Sequence, residues 1–501
     1  MFARYRYSTP IGIAYFIPIQ TTGREDNTIF ATTNVSFPID QVNIHDIDAS
    51  VVQMTVKKHV NGFGVNQFQI TLVDKQDRKG RTWLDRIYPH DLVVIRMGRP
   101  GESGLKTMMV GIVKSVTKTT SLSGSPESPQ VERQVVVTGT EITSISSTHY
   151  LFGETSLTPA IRELINQFTG EFHRKIKTLY TVIHEDLVEN SFGEVHELIG
   201  KYVNSILLND FRMVRVPFTG KTLADYIRFT GNSFRIRPDQ KLIIYGLYYS
   251  QFSGSGAQFI DQALQKPFNE IITRYSSDDT SLTLLDVPTC HMILRPSPFV
   301  YDVNLPSLTS GHELRNVGMV DRTKVTVHTI SDLDVIAENI TRGSEFSHNF
   351  FIVGPNVPEA LGVLIEFNLV PVTDFEHIKK YGFNPILMKF DYLVTKETIE
   401  ALNKVPENKE EVVIRTDRIL ATDLANVLKQ WYIRSCEFLS GTLQIRGNAN
   451  INEGDAILYA PQDFGNGERK FLFYVDGVSH LFVNFETYVT YLELSRGVEV
   501  S

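Results

Sequence analysis

The chain has 501 residues, 42% hydrophobic and 21% charged, which is ordinary for folded protein with several cores and excludes a disordered or fibrous chain. A formal net charge of -8 argues against a protein whose main task is to grip nucleic-acid phosphates. Two cysteines, Cys290 and Cys436, cannot build a disulfide framework or a Cys-rich zinc site, and both are expected to be buried as small apolar residues.

Residues 1–26 are rich in aromatics and arginine, carry Pro10 and Pro18, and show no clear period, so they read as an arm lying on something else. The apolar patch Ile11 to Ile19 is broken by Pro18 and lacks a small-residue cleavage pattern. No stretch approaches the roughly 20 apolar residues of a membrane span, so a chain soluble in the cell that makes it is expected.

From Ile29 to Thr148 the pattern is strand upon strand. Val51 to Lys57 and Gln67 to Val73 flank Asn61-Gly62-Phe63-Gly64, a hairpin signal because Asn and Gly supply positive φ angles. Leu92 to Met97, a turn over Gly98 to Gly104, Met108 to Val116, a Ser/Gly/Pro loop over Leu122 to Pro129, and Val131 to Thr138 complete a set that predicts a barrel or sandwich.

After Tyr150 the period changes. Thr158-Pro159 opens an amphipathic run with Ile161, Leu164, Ile165 and Phe168 on one face. Phe192 to Leu208 predicts a second helix, and Thr222 to Phe229 a third, capped by Thr222 and followed by a hairpin of Phe234 to Ile236 with Lys241 to Tyr245. Lys404 to Glu411 reads as a solvated loop. Asp417 to Phe438 predicts a helix with Leu420, Leu424, Val427, Leu428 and Trp431 on one side.

The last strands are Gly441 to Gly447, Asn452 to Tyr459, Phe471 to His480 and Tyr488 to Leu494, alternating at period two, with glycines where a closed sheet turns or bulges. The fold class that follows is α+β and β-rich: two small β-barrel domains with α+β domains inserted between them. The boundaries are an arm over 1–26, a first barrel over 27–153, an α+β insert over 154–250, a middle α+β domain over 251–436 and a second barrel over 437–501.

Patterns that would carry chemistry fail one by one. His184-Glu185 and His196-Glu197 need a second His where Val188 and Gly200 stand, so neither is a zinc-protease helix. Gly220-Lys221-Thr222 lacks the earlier glycine of a phosphate loop, since Arg215 stands there. Ser253-Gly254-Ser255-Gly256 shows no strand-to-helix elbow and reads as a flexible loop. His480 reads as structural. No catalytic, cofactor-binding or metal residue is assigned, no cofactor is expected, and the chain is not expected to be an enzyme.

The order of features carries a resemblance. Asn452-Glu453-Gly454-Asp455, Phe473 to His480, Tyr488 to Leu494 and the terminal Ser495-Arg496-Gly497 follow one another as in the last barrel of the central baseplate hub proteins of long-tailed bacteriophages. Trp83 to Ile95, Val110 to Val113 and Val137 to Glu141 resemble strand introductions of the hubs' first barrel. The pairing of Pro267-Phe268-Asn269-Glu270 with Arg295-Pro296-Ser297-Pro298-Phe299 resembles their middle domain, with Ser297 where the family pattern has Thr. Val335 to Phe351 and Lys379 to Pro385 are similar more loosely.

The resemblance implies a structural protein of the virion tail baseplate, made in the host bacterial cytoplasm. It implies a homotrimer between tail tube rings and a central spike protein, adapting six-fold to three-fold symmetry and lining a channel through which viral DNA passes without specific binding; an acidic wall would keep DNA from sticking. It also admits tape measure and baseplate wedge proteins as partners. The same part serves contractile injection systems such as tailocins and type VI secretion machines. The alternatives are a tail-associated cell-wall hydrolase, which would need a carboxylate whose removal abolishes wall degradation, and a host-binding tail protein, against which stands the lack of a repetitive shaft.

Overall fold

The computed structural model describes residues 10–19, 30–33, 47–48, 50–77, 79–99, 104–125, 128–148, 150–152, 192–212, 214–216, 219–236, 243–245, 253–276, 287–302, 317–343, 348–355, 371–390, 418–461, 469–484 and 486–500. The amphipathic run from Thr158 and the charged loop Lys404 to Glu411 lie outside them. In chain order the strands begin with β1 (Ile11–Ile17), β2 (Phe30–Thr33), β3 (Ile47–Asp48), β4 (Val51–His59), β5 (Gln67–Val73), β6 (Leu92–Arg99), β7 (Gly104–Ser125) and β8 (Ser128–Glu141). The central part holds β9 (Tyr150–Phe152), β10 (Phe192–Glu194), β11 (Ile227–Gly231), β12 (Ile243–Tyr245), β13 (Ser253–Ser255), β14 (Asn269–Tyr275), β15 (Cys290–Pro296) and β16 (Val327–Ile330). The last are β17 (Val335–Arg342), β18 (Phe350–Pro355), β19 (Val372–Thr373), β20 (Pro385–Phe390), β21 (Leu439–Arg446), β22 (Ala456–Tyr459), β23 (Lys470–Val483) and β24 (Thr487–Val500).

The protein is β-rich, and its two ends share one large, mainly antiparallel sheet. The backbone path runs β17-β21-β24-β23-β4-β5-β8-β7-β6-β1-β2-β3, with β22 and β16 branching from β23. Among the described residues neither strand set closes on itself by backbone pairing. The two sets meet where the far half of β23 lies antiparallel to β4, Gly477 opposite His59 and Val483 opposite Gln53.

Those two sets repeat one plan. In the first, β5 pairs β8, β8 pairs β7 and β7 pairs β6, with β4 on the outer side of β5. In the second, β21 pairs β24, β24 pairs β23 and β23 pairs β22, with β17 on the outer side of β21. Two of the irregularities coincide as well, while the slips at Ile95/Arg96, Leu439/Gly441 and Leu472/Tyr474 are particular to one module. β4 slips register between Val51 and Gln53, and β17 between Val335 and Ala337. β7 slips between Val113 and Ser115, and β23 between Val475 and Gly477. A bulge adds a residue at one defined place, so matching bulges align the two modules residue by residue.

The turn before the second strand of each alignment repeats too. In Tyr88–Asp91 the Asp91 carboxylate accepts from the Tyr88 amide at 2.9 Å, and in Asn452–Asp455 the Asp455 carboxylate accepts from the Asn452 amide at 2.9 Å. The third residue of each turn has positive φ, 74° at His90 and 77° at Gly454. Both turns bond into the following module strand: Val113 N donates to Asp91 O, and Val475 N to Asp455 O.

Several expectations meet a different structure. The patch Ile11 to Ile17, read as part of an arm, is β1, buried throughout and paired with β6 and β2, so what it lies on is its own sheet. The predicted loop Leu122 to Pro129 belongs to the β7–β8 ladder, which runs to Ser125 opposite Ser128, because backbone pairing tolerates Ser and Gly near a hairpin tip. Phe192–Glu194 is strand β10, paired with β12; the helix starts at Val195 and continues through a π-helical stretch, Tyr202–Leu207, to Phe211. Thr222 to Phe229 is one 3₁₀ turn, Leu223–Tyr226, after which Ile227 and Phe229 enter β11 beside β15. Thr222 does cap it, reciprocally with Asp225. Phe234 and Ile236 are buried core residues outside any strand.

Helix Arg418–Tyr432 buries all five residues of its predicted face. Its Trp431 ring lies 5.6–6.2 Å, centroid to centroid, from Phe299, Phe268, Phe234 and Tyr301. The Ser-Arg-Gly motif closes this core. Arg496 stacks its guanidinium 3.7 Å from the Phe299 ring centroid and donates to the carbonyls of Gly318 and Trp431, both at 2.9 Å.

Candidate functional site: a buried charged seam

Hairpin β14–β15 is wedged between the two modules. Its register sets Glu270 opposite Arg295, the acid and the base of the two sequence motifs that resemble the hub middle domain. Arg295 donates to Glu270 Oε1 at 2.7 Å and to the Gly454 carbonyl at 2.6 Å, while Tyr474 OH donates to Glu270 Oε2 at 2.7 Å. Burial pushes the Glu270 carboxyl up, against the opposing pull of Arg295 and Tyr474. Burial, aided by the Glu270 charge, also pushes the Tyr474 phenol well up, which keeps it a donor.

The turn of the second module enters this wedge. Glu453, fully buried, is paired with Lys58 at 3.0 Å and with Arg274 at 3.2 Å, and accepts from the Thr273 amide at 3.0 Å. Lys58 also donates to Thr273 O at 3.2 Å. Arg274 reaches Asp455 at 3.1 Å, and His328 Nε2 lies 3.1 Å from the other Asp455 oxygen. One cluster therefore ties β4, β14, the Asn452–Asp455 turn and β16 together. Buried charges persist only when paired; here Glu453 Oε1 also accepts from Thr273, while Oε2 meets Lys58 as an ion pair.

Besides Lys58, the first module grips the same hairpin with neutral and acidic groups. Asn61, at φ 59° in the predicted β4–β5 turn, exchanges backbone and side-chain bonds with Ile271, both at 2.8 Å. Tyr275 OH donates to Glu141 at 2.5 Å, and the same carboxylate accepts from Asn66 at 3.0 Å and Thr143 at 2.9 Å. In chemical terms the seam is a fastener. Its acids are engaged by cations, amides and hydroxyls, an arrangement that fixes geometry.

The other residues singled out from sequence have local roles. His480 is fully buried on β23, with Nδ1 3.1 Å from Thr490 Oγ1 and 3.2 Å from Tyr488 OH; burial and the nearby Lys58 charge pull its pKa down to about 3. Cys290 is buried, as expected, and burial pushes its thiol well up; Cys436 is only half-buried. His196 bonds Ser233, and His184 lies outside the described residues. The Ser253 to Gly256 run, expected as a flexible loop, is a strand-to-helix step: β13 followed by helix Gly256–Ala263. Ser255 Oγ there accepts from Gln258 N as an N-cap, so the hydroxyl serves the helix start. Among the described residues no group of three or more His, Cys, Asp or Glu could hold a metal ion, and no helix is long and apolar enough to cross a membrane.

Sequence reading missed Lys58, Glu453 and Arg274. Lys58 sits at an inward position of a period-two strand, and that misplaced charge was the available signal.

No protein-family model and no curated protein sequence matches the chain. Solved structures similar to it include the prophage MuSo2 43 kDa tail protein from Shewanella oneidensis, at 8% identity and TM-score 0.43, covering 98% of this chain and 97% of that one. A tail protein from Neisseria meningitidis MC58 aligns at 9% identity and TM-score 0.39 over 89% and 92% of the two chains. Prophage tail protein gp18 from Listeria monocytogenes EGD-e aligns at 8% identity and TM-score 0.39 over 97% and 94%.

Proposed function

We propose that this chain is the central hub of a tail baseplate, a homotrimeric structural protein that adapts a six-fold tail tube to a three-fold spike and surrounds the channel for DNA. The observation that carries the reading is the duplicated module with unequal attachment. Two modules of one connectivity per chain give six like surfaces in a trimer. Only the second module's turn enters the charged seam with β14–β15; the first module's equivalent, Tyr88–Asp91, has Tyr88, Pro89 and His90 exposed. An assembly of three such chains is near six-fold on the sheet and three-fold where the seam is. The succession of sequence motifs supports the same reading, and the closely engaged acids of the seam suit a structural part better than a hydrolase.

Electron-microscopy class averages of the purified protein, with its solution mass measured on the same sample, test this. The expected result is a three-fold ring with a central opening and near six-fold symmetry on one face. A single chain at every concentration, unchanged by a candidate spike protein, overturns it.

A further inference from the structure

The internal contact between the modules defines a second contact that the single chain leaves unmade. In the second module, β23 pairs β22 with its first half and then, past the bulge at Val475/Gly477, pairs β4 of the first module with its second half. In the first module, β7 likewise pairs β6 with its first half and passes the equivalent bulge at Val113/Ser115. Among the described residues, no strand pairs the far half of β7 on that side. The strand equivalent to β4 is β17, which ends the sheet path, and among the described residues no strand pairs its outer edge. An open edge of this length is a template for another strand.

We propose that the far half of β7 in one copy pairs antiparallel with β17 of a second copy, reproducing between chains the β23–β4 contact within the chain. The inference deepens the hub reading and rests on it only for the number of copies. The alignment of bulges fixes the register. Inside the chain Gly477, Ser479, Leu481 and Val483 stand opposite His59, Lys57, Thr55 and Gln53. Through the ladders β8–β5 and β24–β21, their equivalents are Ser115, Thr117, Thr119 and Ser121 opposite Gly343, Thr341, Asn339 and Ala337. The two edges are different surfaces, so the contact is head-to-tail and propagates around a ring.

The side chains fit a contact made after folding. Within the chain the inward face of the junction is Met54, Val56 and Lys58 against Val478, His480 and Phe482, all buried. The equivalent face between copies is Glu338, Ile340 and Arg342 against Val116, Lys118 and Thr120, mostly exposed and polar in the single chain. An edge of this composition stays soluble until its partner strand is met.

The test is cross-linking of the full chain carrying Thr119→Cys, Asn339→Cys and Cys436→Ser. Directly opposite residues in an antiparallel pair have Cα atoms about 4.5–5.5 Å apart, within disulfide reach. Mild oxidation should give a covalent ladder of chains, and moving the first cysteine off register, to Ser123, should lose it. Rings that form by mass without a Thr119–Asn339 cross-link overturn the edge pairing and leave the hub reading standing. A chain that never assembles overturns both. As a second measurement, Thr119→Lys with Asn339→Lys sets like charges opposite each other and should lose the ring, while Thr119→Lys with Asn339→Asp should restore it. Equal assembly by both variants counts against the proposal.

Discussion

The two modules share a backbone plan and differ in what each position touches. Pro89 and Glu453 hold the same place in equivalent turns, yet Pro89 is exposed whereas Glu453 is fully buried against Lys58 and Arg274. His90 and Gly454 both take the left-handed conformation, one exposed, the other with Arg295 so near that a Cβ would lie 2.7 Å from its Nη2. Lys118 and His480 are equivalent on β7 and β23. Lys118 is about a third exposed and paired with Asp74, whereas β4 covers His480. The difference shows that the backbone repeat sets the shape and that neighbours, β4 and the β14–β15 hairpin, set the chemistry.

The largest test of that contrast is to break the seam on one side only. Lys58→Met leaves Glu453 without its nearest cation in a buried site and should cost about 3–5 kcal/mol by chemical denaturation. Pro89→Ala at the equivalent exposed turn should stay within about 0.5 kcal/mol. Similar costs at both positions would remove the seam as the feature that distinguishes the modules.

Acid should separate the modules next. The native His480 imidazole stays neutral down to about pH 3, whereas an unfolded one takes its proton near 6.5. Between these limits the unfolded state binds more protons, so stability present above pH 6.5 falls as the pH falls, by on the order of 5 kcal/mol over the window. His480→Asn should remove about one proton from the slope of stability against pH within that window.

The turns sharpen the comparison at the smallest scale. Gly454→Ala strains a left-handed residue and presses on Arg295, and should cost about 2 kcal/mol in thermal or denaturant melts. His90→Gly relieves the same conformation where nothing crowds it, and should change stability by less than about 1 kcal/mol.

Much of the fold was legible because its signals are local. Period-two alternation marked β4, β5, β23 and β24, and the 3.6-residue spacing from Leu420 to Trp431 marked the helix Arg418–Tyr432, since alternation and helical pitch act between near neighbours. The same reasoning over-extended the helix at Thr222, where capping was right but Ile227 and Phe229 prefer the strand beside β15. It also split β7 and β8 too early, at residues whose backbone pairs regardless of side chain.

The sequence by itself determined where most of the strands of the two modules and the helix before the last of them lie, and that the Asn-Glu-Gly-Asp turn and the Glu270 and Arg295 motifs occur in a recognisable order. The tertiary structure alone decided that Glu270 meets Arg295, that Glu453 meets Lys58, that β23 joins β4, and that the two modules share one strand order and two equivalent bulges. The reason is physical: local patterning is written in neighbouring side chains. Strand pairing across hundreds of residues is made by backbone groups that every residue carries, so its partner emerges only when the chain closes its longest loops.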